Sequence, residues 1–252
     1  MDNSIYITLS RQMALFRDME VTANNIANAD TPGFNAEKLM FSDYLVKDAD
    51  RRMDAYANDA VSYRDTANGS LKQTGNPFDL AISGDAYFQV QTPLGTRYTR
   101  AGNFQIDSEG TIMTADGYPV LGADGGQITI PQNAVNVQIN AVGQITVDGQ
   151  DVGQIGLMEF QNEQAMTRLG NNLYTSTETP QPVVPDIVAG ATGPVVGARM
   201  IQGSLESSNV TAVTEMVRVM NVSRAVSSTA KFIETMYDLE RRTGQTYAKQ
   251  SA

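Results

Sequence analysis

The sequence contains no cysteine, no histidine and no tryptophan among its 252 residues. Without cysteine no disulfide can form, and without cysteine and histidine a typical structural zinc site cannot be built. Catalytic arrangements that use an imidazole base, such as Ser-His-Asp and Cys-His, are excluded for the same reason. We therefore expect no metal site and no cofactor.

Basic residues are also in short supply, with 18 Lys+Arg against 28 Asp+Glu and a formal net charge of −10. Such a chain is a poor ligand for phosphate backbones, so no nucleic-acid partner is expected. Long apolar runs are missing, which predicts no transmembrane helix and no direct membrane insertion. The first residues carry no basic charge before Arg11 and no apolar core, so a cleaved signal peptide is not predicted.

Both ends of the chain have the periodicity of helices. Apolar residues recur at alternating steps of three and four, and neither proline nor glycine interrupts residues 1–31 or 209–243. Asn209 is a candidate N-cap for the second helix. The predicted apolar seams consist of Leu9, Phe16, Met19 and Ile26 in the first helix and Met216, Val219, Val226 and Ile233 in the second.

A stop signal follows the first helix. Proline cannot continue the helical hydrogen-bond ladder, and glycine permits the turn after it. We predict a rigid turn, with an apolar anchor at its end, formed by Thr31, Pro32, Gly33 and Phe34.

The segment between the helices reads as β structure. It is rich in Gly, Thr, Val and Ile, and three Asp-Gly pairs at 116–117, 124–125 and 148–149 predict hairpin turns. These acidic residues are too widely spaced for a calcium loop. The segment 104–117 resembles 137–149, each with the pattern of strand, turn, strand and turn. The aromatic residues expected in the β core are Tyr87, Phe88, Tyr98, Phe104 and Tyr118, and the arginines expected at a solvated surface are Arg97 and Arg100.

Together these segments predict an α+β chain. Long N- and C-terminal helices would form a coiled-coil stalk, and a central all-β, hairpin-rich domain would lie between them. Because two narrow seams alone would leave apolar surface exposed, we expect assembly with further chains. The predicted divisions are an N-terminal helix at 1–34, an extended connector at 35–78, a central β domain at 79–176, a returning connector at 177–204 and a C-terminal helix at 205–252.

Three groups of motifs lie at the two ends and in the centre of the chain. The motifs are Ala23-Asn24-Asn25-Ile26-Ala27-Asn28 with the turn after it, Tyr98-Thr99-Arg100-Ala101-Gly102-Asn103-Phe104, and Gly203-Ser204-Leu205-Glu206-Ser207-Ser208-Asn209-Val210. They resemble those of the bacterial flagellar rod, hook and hook-associated axial proteins, and the resemblance covers nearly the whole chain. The length is similar to that of the two basal-body rod proteins with a β insert, one proximal and one distal, and the opening residues 3–12 look more like the proximal one.

The resemblance implies a structural subunit of the flagellar basal-body rod, not an enzyme. In that family the terminal helices pack with those of neighbouring rod and axial subunits into the tubular drive shaft needed for swimming. The seam residues would be buried between subunits. Asn24, Asn25 and Asn28, which are poor helix formers, would either bridge neighbouring subunits through their amides or mark a fraying helix end. The family also implies export by the flagellar type III apparatus to a periplasmic rod, without a cleaved signal peptide.

Other interpretations of the sequence stay open. The distal rod protein is the alternative within the family. A carboxylate-pair glycosidase needs no histidine, but it would need two acidic residues in an aromatic-lined cleft, and tryptophan is absent here. A secreted adhesin or binding module with coiled-coil ends would fold as a free trimer.

Overall fold

A computed structural model describes residues 2–47, 53–183 and 197–250. Helix α1 spans Asp2–Ala27, helix α2 spans Ala212–Gln250, and the region between them is rich in β-strands. The chain divides into two compact units. Unit 1 consists of Met1–Ala27, Glu37–Asp65 and Thr211–Ala252, and unit 2 of Asn28–Ala36 and Thr66–Val210.

The two units differ sharply in charge. Unit 1 contains 13 Lys+Arg against 14 Asp+Glu, whereas unit 2 contains 5 against 14. Nearly all of the net negative charge of the chain is therefore in unit 2.

Unit 1 combines both helices with a long β-hairpin. Strands β1, Glu37–Lys47, and β2, Met53–Arg64, pair antiparallel, beginning with Glu37 opposite Arg64. Helix α1 contacts α2 and both strands. The helices are thus part of a mixed α/β unit.

The predicted coiled-coil stalk is wrong. The helices pack with the β1–β2 hairpin in one mixed unit, and the predicted seams are not fully buried in it, since Leu9 and Phe16 are each 46% exposed and Met216 is 52% exposed. Helix α1 instead buries Asp18 and Thr22, which lie on a different face. Spacing in the sequence identifies an apolar stripe but not its partner, and here three members of the stripe stay about half exposed.

The hairpin occupies a segment predicted as connector. Residues 37–47 and 53–64, within the predicted extended connector 35–78, form β1 and β2 instead. The β-favouring residues Tyr44, Val46 and Tyr56 are in these strands, but the charged run at 47–52 masks their signal in the sequence. Residues 184–196 of the predicted returning connector 177–204 lie outside the described residues.

The described residues of unit 2 form short strands and one 3₁₀ turn at Glu163–Ala165. The strands are β3 Leu71–Gln73, β4 Leu80–Ser83, β5 Tyr87–Thr92, β6 Gly95–Thr99, β7 Gln105–Ile106, β8 Ile112–Met113, β9 Val137–Ile139, β10 Gln144–Val147, β11 Gln150–Gln154, β12 Leu157–Glu159, β13 Thr167–Gly170, β14 Leu173–Thr175, β15 Gln181–Pro182, β16 Arg199–Gln202 and β17 Ser204–Glu206. Six of them form a sheet in the order β13-β14-β6-β5-β12-β15, and three form the sheet β11-β10-β9. The pairs β16-β4, β17-β3 and β7-β8 complete the described β structure.

The turn and repeat predictions are confirmed. Asp148 and Gly149 have φ values of +48° and +85° and join β10 to β11 as a two-residue hairpin loop. Gly117 and Gly125 are also in the left-handed region, at +83° and +80°. Strand β7 pairs with β8, and β9 pairs with β10, so both copies of the internal repeat contain a strand, a turn and a strand.

The core of unit 2 is apolar and rich in aromatic residues. The predicted core aromatics Tyr87, Phe88, Tyr98 and Phe104 are buried, and Tyr118 is partly buried against the cluster that contains Phe88 and Phe104. Phe88 and Phe104 meet edge to face, with ring centroids 4.9 Å apart. This packing fixes the strands that carry the buried polar groups described below.

Candidate assembly site

Each terminal helix of unit 1 exposes an apolar face. On α1, Leu9, Met13 and Phe16 follow the i, i+4, i+7 spacing of one helical face, and Met13 is 56% exposed. The exposed apolar face of α2 is formed by Val213, Met216, Val217 and Met220. We call these two sets the exposed apolar faces.

The remaining predicted seam residues are half-buried. None of the eight predicted seam residues, all of them in described parts of the helices, is fully buried. The half-buried members are Met19, Ile26, Val219, Val226 and Ile233.

Polar groups fill the buried face of α1. Arg218 of α2 donates from Nη2 to Asp18 Oδ1 over 2.8 Å. The hydroxyl of Thr22, which is fully buried, donates to the backbone oxygen of Asp18 over 2.6 Å. Helix α1 therefore buries polar side chains within the chain and leaves Leu9, Met13 and Phe16 exposed, whereas α2 buries the apolar Val222.

Asn25 joins α1 to the hairpin. Its Nδ2 donates to the backbone oxygen of Glu37 over 2.8 Å, and the amide of Glu37 donates back to Asn25 Oδ1 over 3.0 Å. Asn25 is completely buried, and α1 stays helical through Ala27. A fraying helix end is therefore wrong for this position, and both sides of the Asn25 amide are used within the chain.

The other two asparagines of the motif are more accessible. Asn24 is exposed, and Asn28 is half-buried. The backbone oxygen of Asn28 accepts the amide of Thr31 over 3.2 Å, and its Oδ1 accepts the Thr31 hydroxyl over 3.3 Å. A bridging role of Asn24 and Asn28 between subunits stays a prediction.

An ion pair closes the base of the hairpin. Lys38 in β1 donates to the carboxylate of Asp65, which follows β2. This hydrogen bond raises the pKa of the Lys38 ammonium, outweighing the opposing effect of partial burial, and the negative charge of Asp65 acts in the same direction.

In unit 2, the predicted turn at 31–34 is held by hydrogen bonds and by a contact to its aromatic ring. Gly33 has a φ of +66°, and its amide donates to the backbone oxygen of Glu206 over 2.8 Å. Asn172 donates from Nδ2 to the backbone oxygen of Pro32 over 2.8 Å. Phe34 is 4% exposed, with the guanidinium carbon of Arg168 4.3 Å from its ring centroid. The turn is thus held by contacts from distant segments, and Phe34 at its end is buried; its rigidity stays a prediction.

A buried ion pair lies beside this turn. Arg100 donates from Nε to Glu206 Oε2 over 2.9 Å, and both side chains are almost fully buried. Arg100 also donates from Nη2 to Asn68 Oδ1, and the amide of Gly69 donates to Glu206 Oε1, each over 2.9 Å. We call Asn68, Gly69, Arg100 and Glu206 the Arg100 cluster. The expectation of a solvated Arg100 is wrong, because its side chain is buried and paired with Glu206. Nothing local in the sequence reveals this partner 106 residues away.

Asn209 is not an N-cap. Helix α2 begins at Ala212, and the side chain of Asn209 instead accepts the amide of Ala36 over 2.7 Å and donates to the backbone oxygen of Ala67 over 2.8 Å. Its own amide donates to the backbone oxygen of Phe34 over 3.2 Å. One side chain therefore ties together three segments of unit 2 that are distant in sequence.

The three sequence motifs meet within unit 2. Gly33 and Phe34 come from the N-terminal motif, Arg100 from the central motif, and Glu206 and Asn209 from the C-terminal motif. Their hydrogen bonds explain why such distant segments occur together in one sequence pattern.

Comparison with known families gives three matches along the chain. Residues 5–35 match the flagella basal body rod protein family, residues 81–147 match the flagellar hook protein FlgE/F/G D1 domain, and residues 201–246 match the flagellar basal body rod FlgEFG protein C-terminal family. The matches fall on α1 with its turn, on strands β4 to β10, and on the segment from the end of β16 through most of α2.

Whole-chain relatives have the same character. The chain is 39% identical to a flagellar basal-body rod protein FlgF of Mesorhizobium japonicum, over 91% of each chain. It is 37% identical to the FlgF of Caulobacter vibrioides over 96% of each chain, and 33% identical to a flagellar basal-body rod protein FlgG of Bacillus subtilis over 92% of this chain and 94% of the relative.

These matches describe a class of flagellar axial proteins. The chain belongs to the flagellar basal-body rod protein family, and it is more similar to these FlgF relatives than to this FlgG relative. Within the described parts of the chain, neither helix has an apolar stretch long enough to cross a bilayer.

Proposed function

We propose that the chain is a structural subunit of the proximal flagellar rod, and that it joins neighbouring rod and axial subunits through the exposed apolar faces of α1 and α2. The observation that carries this proposal is the pattern of burial on α1, where polar side chains are the fully buried ones. Asp18, Thr22 and Asn25 are buried on α1, while Leu9 and Phe16 remain about half exposed. Apolar side chains that recur on one helical face and stay uncovered are typical of an interaction surface.

The predicted packing residues have two roles in this proposal, apolar burial and hydrogen bonding. The exposed and half-buried seam residues would become buried between subunits, with Asn24 and Asn28 adding hydrogen bonds there. Fully burying one large apolar side chain contributes about 1.5–3 kcal/mol. A residue that is already half covered would contribute roughly half of that, so several such residues are needed for each contact.

We further propose that the protein acts without catalysis, cofactor, nucleic acid or membrane insertion, as a mechanical part of the shaft used in swimming. It would reach a periplasmic rod through the flagellar type III export apparatus, with no cleaved signal peptide. A groove in unit 2 contains one acidic residue, Asp107, whose Oδ1 accepts the amides of Glu109 and Thr111. A carboxylate-pair glycosidase would need two acidic groups there, so this groove does not favour the enzymatic alternative.

A double substitution tests the assembly surface. Phe16→Ser with Met216→Ser should leave the isolated chain folded, because both side chains are about half exposed. In a strain that lacks the wild-type protein, this variant should fail to restore rods and swimming in soft agar. Leu94→Ser is the matched control, since Leu94 is an apolar residue of unit 2 that is 79% exposed. Normal swimming of the double variant would contradict the proposal.

The distal rod is the alternative location, since FlgG relatives are 33% and 34% identical. Subunit-resolved imaging of isolated basal bodies would separate the two positions. Copies found on the hook side of the rod would favour the distal assignment.

A further inference from the structure

The Arg100 cluster contains a chemically reactive pair. Asn68-Gly69 is the only Asn-Gly dipeptide in the sequence. Asparagine before glycine is prone to spontaneous deamidation, because glycine leaves the following amide nitrogen unhindered and flexible. We propose that Asn68 is a deamidation site that the folded Arg100 cluster keeps closed, and that it becomes reactive when the cluster opens. This inference does not depend on the proposed function.

The reaction needs only water besides the protein. The Gly69 nitrogen loses its proton and bonds to Asn68 Cγ, and the side-chain nitrogen of Asn68 leaves as ammonia. Water then opens the resulting five-membered imide at one of its two carbonyls. The products are aspartate or isoaspartate at position 68, and no electron is gained or lost.

Two buried anchors oppose the first step. The nucleophilic nitrogen of Gly69 donates its proton to Glu206 Oε1 over 2.9 Å, so an ionised nitrogen would face a carboxylate. The carbonyl oxygen that must move during attack, Asn68 Oδ1, accepts Arg100 Nη2 over 2.9 Å. Arg100 and Glu206 are themselves 2% and 3% exposed and paired with each other. Ring closure therefore requires the cluster to open first.

The fold retains the reactive dipeptide because it needs the glycine. A Cβ atom on Gly69 would lie 1.7 Å from the backbone oxygen of Ser207. The next residue, Ser70, accepts the amide of Ser207 over 2.8 Å. Isoaspartate adds a methylene to the backbone, so a modified chain could not keep the spacing of both contacts, one from Gly69 to Glu206 and one from Ser207 to Ser70.

Mass spectrometry can test the proposal on the full chain. Trypsin cleaves after Arg64 and Lys72 and releases residues 65–72, in which deamidation and isoaspartate are measurable. We expect deamidation in the folded chain, incubated in mildly alkaline buffer, to be at least about tenfold slower than in a synthetic 65–72 peptide. Equal rates in the folded chain and the peptide would overturn the proposal.

A variant identifies the responsible contact. Glu206→Ala should raise the rate at Asn68 toward that of the peptide, whereas Glu109→Ala, at an exposed acidic position of unit 2, should leave it unchanged. If Glu206→Ala does not fold, the wild-type chain in increasing sub-denaturing urea replaces it, with the Gly69 amide followed by hydrogen exchange. Deamidation should then rise in parallel with that exchange. A folded Glu206→Ala variant with the slow wild-type rate, or a rate independent of exchange, would refute the role of the cluster.

Discussion

Gly33→Ala tests whether the turn after α1 depends on close backbone approach. Gly33 has a φ of +66°, a region that costs alanine about 1–2 kcal/mol. A Cβ atom there would lie 2.5 Å from both the carbonyl carbon and the oxygen of Arg100, and 2.7 Å from the amide nitrogen of Ala101. These are backbone atoms next to a buried, ion-paired side chain, so they cannot rotate aside.

The separate costs add to a large destabilisation. Overpacking of this kind typically costs about 1–3 kcal/mol. Displacing the turn also weakens the hydrogen bond from Gly33 to Glu206, which contributes about 0.5–1.5 kcal/mol. With the conformational cost, the free energy of unfolding of unit 2 should fall by about 3–6 kcal/mol, a large part of the ~5–15 kcal/mol of a typical domain.

Urea unfolding of the purified full chain measures this loss. The chain has no tryptophan, so near-UV circular dichroism of the buried tyrosines Tyr87 and Tyr174 reports on unit 2. Gly117→Ala is the matched control, because Gly117 has a φ of +83° but no atom within 4 Å of an added Cβ. The control should lose only the conformational cost of about 1–2 kcal/mol.

If Gly33→Ala loses no more stability than Gly117→Ala, the close approach to Arg100 does not hold the turn. Gly33→Val, with a β-branched side chain, should be worse still and should reduce swimming in soft agar. Unaltered swimming of the Gly33→Val variant would show that assembly does not depend on this turn.

Two further predictions concern buried polar groups. Asn25→Ala should lower the free energy of unfolding by about 2–3 kcal/mol, because the backbone amide and oxygen of Glu37 lose their hydrogen bonds to the Asn25 side chain. Hydrogen exchange of the Glu37 amide should accelerate, and an unchanged exchange rate would contradict this. Arg100→Met should cost about 3–5 kcal/mol in urea unfolding, because it leaves the Glu206 carboxylate buried without its cation. Arg97→Met, at a less buried arginine in the same unit, should cost less than about 1 kcal/mol, and a similar loss in both variants would argue against a special role of the ion pair.

Local patterns in the sequence predict local structure well. Two proline-free and glycine-free segments are largely helical, and the Asp-Gly pair at 148–149 forms the expected hairpin loop. Aromatic residues such as Phe88 and Phe104 are in the core as expected. These features depend on backbone preference or on burial of a single side chain, and neighbouring residues are enough to reveal them.

Contacts between distant segments could not be predicted in this way. The apolar spacing of Leu9 and Phe16 is real, but it does not reveal that the helix turns Asp18 inward to meet Arg218, 200 residues later. Asn209 has the chemistry of an N-cap, yet it bonds to Ala36, 173 residues away. In each case the residue type satisfies two roles equally well, and only the folded chain selects one.

The uneven division of charge has a consequence for how copies of the chain meet in solution. Unit 2, with 5 Lys+Arg against 14 Asp+Glu, surrounds itself with a counterion atmosphere and repels the same unit of another copy. Unit 1 is nearly neutral and carries the exposed apolar faces, so attraction there meets little electrostatic opposition. The repulsion extends only over a Debye length, about 8 Å at physiological ionic strength. Charge repulsion therefore keeps copies of unit 2 apart, while the apolar faces make unit 1 adhesive. Added salt should promote contacts between copies of unit 2 far more than contacts between copies of unit 1.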